Sequence, residues 1–264
     1  MQNLTITLIQ TNLFWEEPSK NLKHFDRLIS DIEVPADLIL LPEMFNTGFS
    51  INPQYCAETM DGPSMTFLRE KSKEKNSTII ASVLIKEKDE FFNRLVCIFP
   101  DGRICTYDKR HLFRLSEEYK IFKGGKDILI VDVKGWKIRP LVCYDLRFPV
   151  WSKNIYVEGS YSYDVLIYIA NWPNIREAIW KTLLPARAME NQSYVVGVNR
   201  VGDDGHGFYH SGDSMVIDAK GNPLAVSGSG KEETKTVTLS ASELQLFRDS
   251  FTLGLDWDNF TIHR

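Results

Sequence analysis

RPLVCYDLRFP, residues 139–149, is the stretch from which the fold of this chain can be read. Pro140, Leu141 and Val142 are the end of a short apolar strand, and the strand stops at Cys143. A polar turn with Asp145 and Arg147 follows, and Pro149 suits the first turn of a helix. A cysteine at such a junction has an exposed sulfur beside backbone N–H groups, the conditions that favour a thiolate nucleophile. Free cysteine is also among the most buried residue types and usually packs as a small hydrophobe. On this stretch alone the packing explanation prevails. The segments that accompany Cys143 elsewhere in the chain reverse it.

Upstream, Ile128 to Val133 and Trp136 to Val142 flank Lys134-Gly135, which signals a hairpin whose second strand delivers Cys143. Phe91 to Phe99 and Arg103 to Tyr107 flank Asp101-Gly102 in the same way. Leu4 to Gln10 alternates as a strand. Leu22, Phe25, Leu28, Ile29 and Ile32 recur at helical spacing after Pro18-Ser19. Leu38 to Leu41 is a continuous apolar run, the pattern of a strand buried on both faces, and it ends at Pro42-Glu43. Ser64 is placed to cap a helix reaching about Asn76, and Thr78 to Ile85 is rich in β-formers.

Downstream, Pro149 to Val157 reads as a helix and Val165 to Ala170 as a buried strand ending in Asn171-Trp172-Pro173. Arg176 to Asn191 reads as a long helix containing Pro185. Tyr194 to Val198 and Thr234 to Leu239 are strands. Ser214 to Asp218 and Leu224 to Val226 flank a Lys220-Gly221 turn. Ser240 with Glu243 forms a capping-box signature for a last helix. The tail keeps Leu255, Trp257, Phe260 and Ile262 apolar, so it is expected to pack on this chain or on a partner.

Helices interleaved with strands, without an internal repeat, point to one layered α/β domain over residues 1–264. The chain has 264 residues, 43% of them hydrophobic, enough for a sizeable core without a disulfide or metal staple. A net charge of −4 gives no reason to expect nucleic acid or an anionic membrane as partner. No apolar run is long enough to span a bilayer, and the N-terminus lacks the basic and cleavage regions of a signal peptide. Cys56, Cys97, Cys105 and Cys143 are scattered, which suggests neither a disulfide framework nor a zinc site and fits a reducing cytoplasm. No G-x-G-x-x-G follows a strand and no phosphate-binding loop occurs, so no nucleotide cofactor is expected.

Three polar residues fall just past strand-like segments: Glu43 after LILLP, Lys109 after ICTYD, and Cys143 after IRPLV. Ligand sites in open α/β sheets gather at such strand ends. Singly, Glu43 and Lys109 read as solvated charges. Together with Cys143 they supply what thiol-dependent acyl transfer needs: a base for the thiol proton, a nucleophile, and a cation for the oxyanion. His111 is a second candidate base, or else a hydrogen-bonding residue behind the site. No G-x-S-x-G elbow supports a serine nucleophile.

LILLPEMF, YDKRHLF and LVCYDLRFP, in that order and spacing, resemble the three motifs of the carbon–nitrogen hydrolase (nitrilase) superfamily. The resemblance runs on through the GDSMVIDAKG hairpin and covers nearly the whole chain. It implies a four-layer α-β-β-α sandwich, a Glu43–Lys109–Cys143 triad and no metal or organic cofactor. It also implies a second glutamate, at Glu117 or Glu118, with Glu118 preferred for its spacing to Gly124-Gly125. Lys109 and the backbone N–H of Tyr144 would hold the oxyanion, and Glu118 would hold the substrate nitrogen and orient Lys109. Members commonly dimerise, often through the C-terminal tail, here residues 254–264.

MFNTGF and the segment from Asn171 to Gly202 resemble the ω-amidase branch, whose substrates are small 2-oxo acid amides such as 2-oxoglutaramate and 2-oxosuccinamate. Such a substrate needs a cation for its far carboxylate, a task that suits arginine. Arg176 is the first candidate, and Arg114 and Arg147 follow. Arg147 is expected to make a structural pair near Asp145. Phe45, Phe49 and Trp172 are candidate pocket walls, and Asn171 a candidate lining amide. An N-carbamoyl amino acid amidohydrolase is the nearest alternative and a nitrilase the next. A non-catalytic binding module and a redox-sensing thiol are the alternatives of other classes.

Overall fold

The computed structural model describes residues 2–262. In chain order the strands are β1 (Leu4–Gln10), β2 (Leu38–Leu40), β3 (Thr78–Glu87), β4 (Glu90–Ile98), β5 (Ile104–Asp108), β6 (Val131–Val133), β7 (Trp136–Val142) and β8 (Tyr156–Val157). They continue with β9 (Ser160–Tyr161), β10 (Val165–Ala170), β11 (Tyr194–Asn199), β12 (Val201–Asp203), β13 (Tyr209–Ser211), β14 (Met215–Ile217), β15 (Pro223–Val226) and β16 (Glu233–Leu239). The helices are α1 (Pro18–Ser30), α2 (Pro53–Cys56), α3 (Pro63–Lys75), α4 (Glu118–Ile121), α5 (Pro149–Ser152), α6 (Glu177–Asn191) and α7 (Ala241–Ser250).

Two six-stranded sheets carry the fold, ordered β16-β1-β2-β3-β4-β5 and β15-β14-β11-β10-β7-β6. β1, β2 and β3 run parallel, as do β7, β10 and β11, while the outer strands of each sheet are antiparallel. The sheets face each other across one core, where Leu4, Ile6, Leu8, Leu38 and Leu40 meet Ile138, Val142, Val165, Ile167 and Val196. The alternation along β1 is what sends Leu4, Ile6 and Leu8 to one side. On the outer face of the first sheet, Ile9, Ile39, Ile79 and Ala81 pack against Phe25 and Ile29 of α1 and Met65 and Leu68 of α3. Trp180, Leu184 and Ala188 of α6 cover the second sheet. The result is the four-layer α-β-β-α sandwich. Gly197 on β11 makes the last layer possible: a Cβ there would lie 2.5 Å from Leu184 Cδ1 and 2.7 Å from Trp180 Cζ2.

Several local expectations need correction. α3 is capped from outside, not by Ser64: its N-cap is Gly62, and the Glu58 carboxylate accepts the Ser64 N–H at 2.8 Å and hydroxyl at 2.6 Å. The helix at Pro149 ends at Ser152, and Tyr156–Val157 instead pairs with Ser160–Tyr161. Glu158 (φ 51°) and Gly159 (φ 77°) form the two-residue turn between them. β6 begins at Val131, later than Ile128. The long helix begins at Glu177 and leaves Arg176 in the preceding 3-10 turn. At the last helix, Glu243 N–H donates to Ser240 Oγ at 3.2 Å, the forward half of the expected capping box.

The tail packs partly on its own chain. Trp257 meets Tyr161 edge-on at 5.6 Å, Lys153 Nζ lies 3.6 Å from the Trp257 ring centre, and Ile262 packs on the core. Leu255 and Phe260 stay exposed, and the end of the 254–264 tail, residues 263 and 264, lies outside the described residues. Among the described residues no helix is long and apolar enough to cross a membrane.

Candidate active site

Four strand ends meet at one point. β2 runs into Glu43, β5 into Lys109, β7 into Cys143 and β10 into Asn171. The last two are neighbours because β7 and β10 are parallel, with Val142 opposite Ile169. Cys143 Sγ lies 3.8 Å from the Asn171 carbonyl oxygen. The Cys143 backbone has φ 44°, a left-handed conformation costly for a residue with a Cβ, which persists only where its surroundings fix it.

Glu43, Lys109 and Glu118 are buried together. Lys109 Nζ donates to Glu43 Oε1 at 2.8 Å and to both Glu118 oxygens at 3.1 Å. Asn93 Nδ2 donates to Glu43 Oε1 at 2.8 Å, and the Asn171 N–H donates to Glu43 Oε2 at 2.9 Å. The Asn171 side-chain amide donates back to the Glu43 carbonyl. The Phe113 N–H, at 2.5 Å, fixes Glu118 from the other side. Burying one such charge alone would be prohibitive; a cation between two hydrogen-bonded carboxylates makes it tolerable.

The electrostatics follow. Burial alone would push the Lys109 ammonium down, but Glu118, Glu43 and Cys143 outweigh it and hold the amine well above its ordinary value, so it stays charged. Burial, reinforced by the nearby Glu43 charge, pushes the Cys143 thiol well above the ordinary thiol range, and Lys109 only partly offsets this. The resting sulfur is therefore protonated and needs a base to become a nucleophile. Burial likewise raises the Glu118 carboxyl, with Lys109 opposing. Chemically the arrangement offers a thiol, an adjacent carboxylate that can take its proton, and an ammonium facing the same space.

Glu43, Lys109 and Cys143 form the floor of a cavity of about 540 Å³, and Glu118 stands behind Lys109 without lining it. Phe49, Tyr144 and Trp172 line it, with Phe49 set 5.0 Å from Lys109 Nζ. Arg176 lines it too, lying 5.2 Å from the Phe113 ring centre. Burial lowers its guanidinium, while Cys143 favours and Arg147 disfavours its charge. Arg147 also faces the cavity, 5.4 Å from the Trp172 ring centre, rather than pairing near Asp145. Asp145 is occupied by Tyr107, His111 and Val142 instead. Neither guanidinium is paired with a carboxylate among the described residues.

Other candidates stand elsewhere. Phe45 is buried in the outer core, 5.3 Å from Phe25 and 6.2 Å from Phe67, because its backbone turns away from the cavity after Glu43. Arg114 lies over the Tyr119 ring and does not line the cavity. His111 is stacked on Phe148 at 3.6 Å and bonded to Asp145, away from the sulfur. Glu117, in a left-handed turn at the rim, pairs with Lys120 at 2.5 Å.

Sequence reasoning missed Asn93 and the β12–β13 hairpin, which supplies Asp204, His206, Phe208 and His210 to the cavity wall. Asn93 carried a signal, since an asparagine inside an apolar strand is disfavoured unless something needs its amide. The hairpin strands are three residues each, too short for alternation to register. Burial and the Arg200 charge lower the His210 imidazole to about 4. Among the described residues no group of His, Cys, Asp and Glu is arranged to hold a metal ion.

Comparison with known proteins agrees with this geometry. The carbon-nitrogen hydrolase family model matches residues 5–249. An omega-amidase YafV of Yersinia enterocolitica is 42% identical over 99% of this chain and 100% of its own. A 2-oxoglutaramate amidase of Bacillus subtilis is 32% identical over 85% of this chain and 86% of its own. A solved CN-hydrolase superfamily protein of Xanthomonas campestris, with an arsenic adduct in its active site, superposes with a TM-score of 0.97 at 40% identity, 100% of each chain being covered. A family model spanning most of the chain, and relatives this similar over most or nearly all of its length, make the protein a member of the carbon-nitrogen hydrolase family, an amidohydrolase acting on carbon–nitrogen bonds other than peptide bonds.

Proposed function

We propose that the protein is an ω-amidase that hydrolyses the terminal amide of a small 2-oxo dicarboxylic acid monoamide, 2-oxoglutaramate or 2-oxosuccinamate, to the acid and ammonia. Glu43 takes the Cys143 proton as the sulfur bonds to the amide carbon. The carbonyl π electrons move to oxygen, where the Lys109 ammonium and the Tyr144 N–H receive the negative charge. Collapse breaks the carbon–nitrogen bond, and Glu43 gives its proton to the departing ammonia. A thioester remains on Cys143. Water then yields a proton to Glu43 and attacks the thioester carbon. The carbon–sulfur bond breaks, and the proton returns to the thiolate. Glu118, bonded to Lys109 from behind, keeps it aimed at the oxyanion; because it does not line the cavity, it acts through Lys109 and not on the substrate nitrogen.

The observation that carries the substrate reading is the pair of arginines, Arg176 and Arg147, facing the cavity without a carboxylate partner among the described residues. A substrate carboxylate supplies the missing partner, and guanidinium can bind it bidentately. Asn171 and Trp172 bound the same space as Phe49. The kinship with an omega-amidase and a 2-oxoglutaramate amidase favours an oxo-acid amide over an N-carbamoyl amino acid. We also propose a cytoplasmic homodimer with the 254–264 tail at its interface.

The test is ammonia release from 2-oxoglutaramate, 2-oxosuccinamate, glutaramate and N-carbamoyl-β-alanine, by the wild type and by Arg176→Ala. The oxo-acid amides are expected to react fastest, and Arg176→Ala to raise KM with a smaller effect on kcat. Reaction of the carbamoyl compound alone would overturn the substrate while leaving the acyl-transfer chemistry standing.

A further inference from the structure

We propose that Asp145 is a positioning residue that sets where Lys109 stands relative to Cys143, with His111 and Tyr107 as its struts. The proposal rests on the acyl-transfer reading of Glu43, Lys109 and Cys143.

Asp145 is buried and does not line the cavity. Its Oδ2 accepts from Tyr107 Oη at 2.8 Å and from the Val142 N–H at 3.1 Å. Its Oδ1 accepts from the His111 N–H at 3.1 Å and from His111 Nδ1 at 2.7 Å. These four bonds fill the accepting capacity of a carboxylate. Their distribution is the point. Tyr107 and His111 bracket Lys109, two residues to either side. Val142 and Asp145 bracket Cys143. One carboxylate therefore ties the end of β5, the edge strand of the first sheet, to the end of β7 in the second.

Capping the 3-10 turn at Cys143–Arg147 accounts for the Val142 bond alone. The other three bonds reach the Lys109 segment. The struts are themselves held: Tyr107 Oη accepts from Trp151 Nε1 at 3.0 Å and from the Arg110 N–H at 3.2 Å. The His111 ring lies flat on Phe148, 3.6 Å away and 5° from parallel. A proton on Nδ1 serves Asp145, so His111 acts through that bond and not on the substrate. Lys109 and Cys143 belong to separate sheets, and an error of about 1 Å in their spacing is enough to cost roughly a hundredfold in rate.

The test compares Tyr107→Phe, His111→Phe, His111→Asn and Asp145→Asn. His111→Phe keeps a ring on Phe148 and loses the donor. His111→Asn loses the ring and regains a donor near the Nδ1 position. We expect kcat for ammonia release to fall about tenfold in Tyr107→Phe and His111→Phe and about a hundredfold in Asp145→Asn, with KM within about twofold of wild type. His111→Asn should recover most of the loss. Retention of kcat within about twofold in His111→Phe, or no recovery in His111→Asn, would overturn the proposal. The strut variants keep the test decisive if Asp145→Asn does not fold. Alkylation of Cys143 by iodoacetamide, followed by mass spectrometry, needs no substrate: its rate should shift at least about threefold in His111→Phe and return in His111→Asn. A wild type that releases no ammonia from any amide would remove the functional reading, whereas an unchanged alkylation rate would remove the strut.

Discussion

Cys143 sits beside a carboxylate that disfavours its thiolate, which makes the pairing with Glu43 look contrary to the needs of a nucleophile. The arrangement is consistent if the thiolate is formed only when the sulfur attacks. Burial and then the Glu43 charge hold the thiol well above its ordinary range, and Lys109 pulls the other way. Glu43→Gln removes both the proposed base and the opposing charge, so it should separate two properties that usually move together. Ammonia release should fall by roughly 10²–10⁴-fold, the usual contribution of a general base. The pH profile of Cys143 alkylation should move to lower pH, because Lys109 then faces the sulfur with less negative charge nearby. A profile that stays in place or moves upward would mean that Glu43 does not govern this thiol. The same cluster explains why one partner cannot be removed without cost to the fold. Lys109→Met leaves Glu43 and Glu118 buried without their cation and should lower stability by about 3–5 kcal/mol in urea unfolding. Raising the pH tests the charge itself. The Lys109 pKa is higher in the folded state, so its stabilisation is complete below the ordinary lysine value and is lost as pH climbs through the raised one.

The site is assembled by elements whose contributions were unequally legible. Turns announced by Asp101-Gly102, Lys134-Gly135 and Lys220-Gly221 were readable because residues with positive φ stand at Gly102, Lys134, Gly135 and Gly221. The turn at Glu158-Gly159 has the same chemistry, but its strands are two residues each, and Pro149 before them read as the start of a longer helix. The strand ends carrying Glu43 and Cys143 were legible because each follows an apolar run, and the one carrying Lys109 because its strand-like segment follows the Asp101-Gly102 turn. The wall built by β12–β13 was not, since Asp204, His206 and His210 come from a hairpin of three-residue strands, too short for a period to show. Phe45 illustrates the limit from the other side: it stands two residues from Glu43, yet its side chain faces α1 and α3. Adjacency in sequence does not decide which side of a strand end a residue takes. Gly197 gives an element-scale prediction. Gly197→Ala drives a methyl into Leu184 and Trp180 and pushes α6 off the second sheet. The cost of such overpacking is about 1–3 kcal/mol, so Tm should fall by roughly 2–10 °C in a thermal melt. Arg176 lies directly before α6, so KM should rise more than kcat falls. An unchanged Tm would show that the helix can yield without loss.

At the scale of the whole molecule, the sandwich covers each sheet with helices but leaves apolar side chains beside the C-terminal tail. Ile155, Val157, Leu255 and Phe260 are exposed, with Leu255 at 68% of its full accessibility. They are neighbours in space, because Gly254 packs against Tyr156 and Tyr161, and Ile155, Tyr156, Trp257 and Phe260 border one small hollow. Scattered exposed apolar residues need no explanation, but a contiguous group beside an anchored tail fits a self-complementary contact. A stable dimer buries about 800 Å² on each partner, so these residues would form the centre of a larger face. Sedimentation velocity on the wild type should therefore give one species of twice the chain mass. The double variant Ile155→Glu, Leu255→Glu places like charges opposite their symmetry mates and should sediment as a monomer. No described residue of the tail lines the cavity. The monomeric variant should accordingly keep kcat within about twofold, melt at a lower temperature than the wild type and lose the wild type's dependence of Tm on protein concentration. A wild type that sediments as a monomer would refute the dimer. A variant that stays dimeric would place the interface on another face.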